Sequence, residues 1–210
     1  MSIFETVKIP DTKLCKSAFQ LVKDCHEPFL FNHVLRTFFF GAFAGQKASC
    51  NIDMEMLFLG AVLHDIGLVE DYVEDNRFEI DGANAAAKFL QASGYPDEKI
   101  EIVWDAIALH STMGIPQCKQ AEIALVQMGA GIDVGAIPLH IINAKIVDEV
   151  IDRYPRENFK KMMTSRVAEV AGRKPETSMH TFAADLAEQH VEGFHRHNFC
   201  DVIHNAGFKE

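Results

Sequence analysis

Apolar residues recur along nearly the whole chain at intervals of three and four, the spacing of a helix buried along one face. Leu14, Ala18, Leu21, Val22 and Cys25 form the first such stripe, and Asp11 or Thr12 stands where an N-cap is needed. Pro28, tolerated in a first turn, opens a second helix over 29–46, with Phe31, Leu35, Phe38, Phe39 and Ala42 available for burial. Asp53 caps a third over 54–63, which runs into His64-Asp65 and stops at Gly67. Asp81 is placed to cap a fourth over 82–93, closed by Gly94 with Pro96 beyond. Asp97 caps a fifth that leads to His110, and 119–128 makes a sixth before Gly129-Ala130-Gly131 loosens the chain ahead of Asp133. Three more follow over 141–153, 156–171 and 178–193, bounded by Pro155, Gly172 and Pro175. No window alternates with period two, and no internal repeat stands out. The pattern predicts an all-α, single-domain helical bundle over 1–210.

Composition narrows what such a bundle can do. With 48% hydrophobic and 24% charged residues, the chain has the profile of an ordinary globular protein with a substantial core. No apolar run approaches the ~20 residues of a membrane helix, and the first ten residues lack a basic segment leading into an apolar one. The net charge of −10 argues against a nucleic-acid partner, which calls for a basic face. A small-molecule substrate is expected instead, with no membrane partner, and paired helical surfaces are compatible with a homo-oligomer. The five cysteines are odd in number and form no C-x-x-C pair, which reads as a reduced, cytoplasmic pattern of mostly buried thiols.

Chemistry concentrates at Leu63-His64-Asp65-Ile66-Gly67. An apolar run delivers an adjacent histidine and aspartate, and a carboxylate buried without a partner is costly. On a regular helix the two side chains would diverge by about 100°, but at a helix end the turn can open and aim both at one ion. His33, inside an apolar helix, and Asp133, after the glycines, are the candidate further ligands. Together with His64 and Asp65 they make a set of imidazoles and carboxylates that suits one divalent ion, zinc, iron, manganese or cobalt. The acidic stretch 67–81 divides between a solvated loop and a cover for this site.

The order His33…His64-Asp65…Asp133 on a helical chain resembles the HD-domain superfamily of metal-dependent hydrolases. More narrowly, Phe31-Asn32-His33 with Arg36, the run Phe38-Phe39-Phe40-Gly41, and Arg77-Phe78-Glu79-Ile80-Asp81-Gly82-Ala83-Asn84 look like its cyanamide hydratase-like branch. The resemblance covers about 28–135, the metal-site core, and leaves the helices of about 136–210 without a recognisable motif. It implies a zinc-dependent hydratase that adds water to a nitrile-like carbon, as in cyanamide to urea. In dinuclear members of the superfamily two further histidines hold a second metal. Asn84 stands in the region of the first and His110 resembles the second, which points to a single ion.

On that reading Asp65 is both ligand and catalytic group, the ion lowers the pKa of water towards ~7, and His110, Glu79 or Asp81 supplies the proton to nitrogen. Asn32, Asn84 and Lys88 are the candidate substrate-binding residues. The five histidines after residue 178, His180, His190, His195, His197 and His204, have no zinc spacing and read as surface residues. A phosphohydrolase acting on nucleotides or phosphodiesters is the alternative. It needs basic residues to hold phosphate, and near the motifs stand only Arg36, Arg77 and Lys88. A regulatory domain that has lost its chemistry fits intact ligands poorly, and a dinuclear-iron oxygenase fits worst.

Overall fold

A computed structural model describes residues 2–208. Among them there is no strand, and the helices run α1 Ile3–Thr6, α2 Lys13–Cys25, α3 Pro28–Lys47, α4 Met54–Leu63, α5 Phe78–Ala92, α6 Asp97–Ala108 and α7 Ala121–Val134. After these come α8 Ala144–Arg153, α9 Phe159–Arg173, α10 Pro175–Ser178, α11 Phe182–His190 and α12 Phe199–His204. The all-α expectation holds. The early caps hold as well: Thr12 Oγ1 accepts from the Cys15 amide at 3.1 Å, and Asp53 accepts from the amides of Glu55 and Met56 at 3.0 and 3.2 Å.

Among the departures from the pattern, three have a clear physical reason. Helix α5 starts at Phe78 rather than Gly82, because Asp81 does not cap it. The Asp81 carboxylate reaches back to accept from the amides of Glu74 and Asn76 at 2.9 and 3.1 Å, and it pairs with Lys174. Helix α7 continues through Gly129-Ala130-Gly131 to Val134 and ends at Gly135, whose φ is +88°. The glycines serve a close crossing: a Cβ at Gly129 would lie 2.1 Å from Thr37 O, and one at Gly41 2.5 Å from Leu125 O. Finally, the expected helix over 178–193 breaks at His180, whose φ of +63° leaves the short α10 and α11.

Two hydrophobic clusters adjoin. The larger joins α2, α3, α4, α5, α6 and α7 through residues such as Leu35, Phe38, Phe58, Leu63, Ile107 and Val126. The smaller gathers Phe159, Val167, Ala184 and Ala187 of α9 and α11, among others, with Phe29, Leu30, Leu68 and Phe78 from earlier in the chain. The acidic stretch of 67–81 docks the second layer: Glu70 pairs with Arg173 at 2.6 Å, and Asp81 with Lys174. The thiols depart from expectation, since only Cys15 is buried, while Cys50, Cys118 and Cys200 are exposed. Among the described residues, no helix is long and apolar enough to cross a membrane.

Candidate metal centre

Helix α4 hands the His64-Asp65 pair to the site by ending there. His64 keeps helical angles, whereas Asp65, at φ −105° and ψ 12°, leaves them and leads into a 3₁₀ turn at Ile66–Leu68. That opening lets neighbouring side chains share one target. Gly67 holds the turn against α5, because a Cβ there would sit 2.0 Å from Phe78 O. His33, one-third of the way along α3, meets the pair from the opposite side. His33 Nε2 and His64 Nε2 are 3.2 Å apart, and Asp65 Oδ2 lies 3.3 and 3.2 Å from them. All three residues are buried.

The outer nitrogens fix the tautomers that the hydrogen bonds imply. His33 Nδ1 donates to Asp133 Oδ2, and His64 Nδ1 to Ala61 O, each at 2.7 Å. Both Nε2 atoms are thereby left as lone-pair donors facing one another beside a carboxylate. Neutral lone pairs at that separation repel, so the arrangement needs a shared proton or a cation. Anchored Nδ1–H groups and convergent Nε2 atoms are the form that metal-binding histidines take, and this donor set fits a divalent ion. Burial would raise the Asp65 carboxyl, but His64 and His33 hold it well below the usual carboxylate range. Burial would lower His33, but its hydrogen bonds to Asp133 and Asp65 prevail and raise it.

Asp133, expected as a fourth ligand, stands behind His33 and outside the three-residue cluster. Its lone pairs are occupied. Arg36 donates to both oxygens at 2.7 Å, Arg156 to Oδ1 at 2.9 Å and His33 to Oδ2. Burial would raise this carboxyl, but the hydrogen bonds from His33 and Arg36 outweigh it and lower it. In this geometry Asp133 orients the His33 ring and balances the fully buried Arg36. The Arg36 guanidinium also donates to the carbonyls of Tyr154 and Pro155, at 3.0 and 3.1 Å, and so ties the α8–α9 connection to α3.

His110 reaches the cluster from the end of α6. Its Nδ1 donates to Ile107 O at 2.7 Å, and Nε2 lies 3.5 Å from Asp65 Oδ1. Burial, together with the neighbouring His64, pushes it down to about 4. Glu79 does not reach the open space. It accepts from Arg77 at 2.9 and 2.6 Å and from Ser111 Oγ at 2.5 Å, so that its influence passes through Ser111. The three candidate substrate-binding residues are engaged elsewhere. Asn32 donates to Pro155 O at 2.9 Å, Asn84 accepts from Trp104 Nε1 at 3.0 Å, and Lys88 is exposed and pairs with Glu74. The tail histidines are exposed, as expected.

Sequence reasoning passed over several residues. His26, at the end of α2, is buried with Nδ1 on Val22 O at 2.9 Å and no described partner for Nε2, and burial pushes it down to about 4. A cavity of about 450 Å³ opens above His33, His64, Asp65 and His110, and its far wall comes from α9 and α11. Phe159 anchors that wall, 4.8 Å from the His33 ring and beneath the guanidinium of Arg156 at 4.5 Å. Arg156 and Phe159 follow a Pro and an Asn with no motif around them, so only the folded chain brings them to the site.

The family model for the HD domain matches residues 30–190, taking in both layers. The chain therefore belongs to the HD-domain family, whose members are for the most part metal-dependent hydrolases. No curated protein matches the chain.

Proposed function

We propose that the protein is a metal-dependent hydratase acting on a small neutral C–N compound of the cyanamide type, with one divalent ion, zinc foremost, held by His33, His64 and Asp65. The observation that supports this reading best is the character of the cavity floor and walls. Three imidazoles and a carboxylate converge below walls that are largely apolar, and the one guanidinium of the lining, Arg156, is tied to Asp133, a carboxylate it shares with Arg36. A neutral electrophile suits such a place better than a phosphate dianion does. Asn84 is not among the residues that line the cavity, and its Oδ1 accepts from Trp104, which supports a single ion.

When bound, the ion supplies Lewis-acid activation of water at neutral pH. The chain does the rest. Asp65, held between two histidines, fixes the ligand geometry, and Asp133 fixes the ring of His33. His110 keeps Nδ1 on Ile107 O and presents Nε2 as an acceptor, so it takes a proton from water at that atom and returns it to the substrate nitrogen. Ser111, oriented by Glu79, lines the cavity and is placed to hydrogen-bond the substrate. Apolar walls exclude competing water.

One observation favours the phosphohydrolase alternative: Lys160 lines the cavity beside Arg156 and has no ion-pair partner among the described residues. Metal analysis of the purified protein, with urea release from cyanamide and phosphate release from nucleoside monophosphates measured side by side, separates the two. One equivalent of zinc with urea is the expected result. Phosphate without urea overturns it.

A further inference from the structure

The cavity is much larger than cyanamide needs. At about 450 Å³ it falls within the range of sites that enclose whole organic ligands, and it has room for on the order of ten waters at ~30 Å³ each. Cyanamide, with three heavy atoms, displaces only a few of them. The remaining space is bounded by Leu68, Phe78, Phe159, Met163, Val167 and Leu186, whose side chains offer water no hydrogen bonds. Most polar groups gather at one end, where the histidine–aspartate cluster, His110 and Ser111 meet, and Gln127, Arg156, Lys160 and Thr164 complete an otherwise apolar lining. Within this wall Phe159 is held in place, packed between the His33 ring and two guanidinium groups, those of Arg36 and Arg156.

We infer that the substrate is a nitrile-type compound bearing an apolar substituent of roughly six to ten carbons, its C≡N group at the cluster and its alkyl or aryl part against α9 and α11. This rests on the hydratase reading and names the substrate class for it. The step balances without an added oxidant or reductant. The water oxygen forms a bond to carbon, one C–N π bond breaks, and one water proton ends on nitrogen. The resulting imidic acid tautomerises to the amide, or to an N-substituted urea when the substrate is an N-substituted cyanamide. Each methylene buried against these walls is expected to improve binding about fourfold until the cavity is filled.

The test uses the metal-loaded protein and a series from cyanamide to N-hexylcyanamide, with kcat/KM followed by release of the corresponding urea. Binding of N-hexylurea and of urea itself is measured by calorimetry on the same preparation, which needs no turnover. The expected result is a rise in kcat/KM of several hundredfold or more along the series, with N-hexylurea binding far more tightly than urea. Met163→Gln, on the apolar wall, is expected to flatten both trends. Hydration of cyanamide with a flat or falling series overturns the substrate class and leaves the hydratase reading standing. No hydration of any member, with chain-length-dependent binding that Met163→Gln abolishes, sinks the hydratase reading and keeps the apolar ligand class. Neither turnover nor binding overturns both.

Discussion

Helices α3, α4 and α7 and helices α9 and α11 build the same cavity by opposite means. The first group is apolar nearly all round: every residue of α4 from Met56 to Leu63 is buried, and α3 carries a continuous buried run from His33 to Ala42. Inside such helices an ionisable side chain survives only with partners, and His33, Arg36, His64 and Asp133 have found one another. The second group is amphipathic. Helix α9 buries Phe159, Val167, Ala168, Val170 and Ala171 while it exposes Lys160, Lys161, Glu169 and Arg173. It contributes mainly apolar surface to the cavity, with Lys160 and Thr164 beside it, and no member of the histidine–aspartate cluster. Chemistry sits where burial is complete, and substrate room sits where a second layer closes over it.

The strongest way to break this contrast is to unbalance the buried charges of the first layer. Asp133→Asn leaves Arg36 uncompensated in the core and is expected to cost about 3–5 kcal/mol in urea unfolding. The same variant loosens the His33 ring, so metal affinity should fall about 10–100-fold without vanishing. Complete loss of the ion would instead make Asp133 a direct ligand. In the second layer, Lys174→Ala strips Asp81 of its cation but leaves it two backbone amides, so a smaller loss of about 1–3 kcal/mol is expected. Hydrogen exchange should rise in α9 and α11 and stay unchanged in α4, whereas an even rise would contradict two separable layers.

Acid stability sharpens the comparison further. His26 has a folded pKa near 4 against an ordinary 6.5 because burial disfavours its charged form. The unfolded chain therefore binds the extra proton first. Stability from this residue is complete above about pH 6.5 and is lost as pH falls towards 4, by roughly 2–3 kcal/mol in all. His26→Asn removes a group that titrates, so the difference in stability between variant and parent should shrink by that amount from pH 7 to pH 4. A pH-independent difference would refute the assignment. The smallest effect is expected for Arg173→Ala, which breaks an exposed pair with Glu70 and should change stability by about 0.5 kcal/mol or less.

The same contrast explains what could be read from the sequence. The helices of the first layer declare themselves by period, and His64-Asp65 by its apolar surroundings, so three members of the cluster are identifiable before any fold is known. The hydrogen-bond partners of the Asp133 carboxylate are not, because they depend on where Arg36 and Arg156 reach in the folded chain. Asn32, Asn84 and Lys88 have motif positions near the ligands but partners elsewhere, in Pro155, Trp104 and Glu74. Asp81 imitates a helix cap and in fact secures the loop before α5 and the end of α9. Phe159 and Met163 look in sequence like any core residue. That they wall a cavity follows only from the packing of one layer on another.

The account stands on His33, His64 and Asp65 holding an ion, and metal content tests this most directly. Protein purified without chelator should carry one equivalent of a divalent transition metal by mass spectrometry, and a folded His64→Ala variant prepared alongside it should carry none. A folded His64→Ala protein that retains its full equivalent would contradict the central claim.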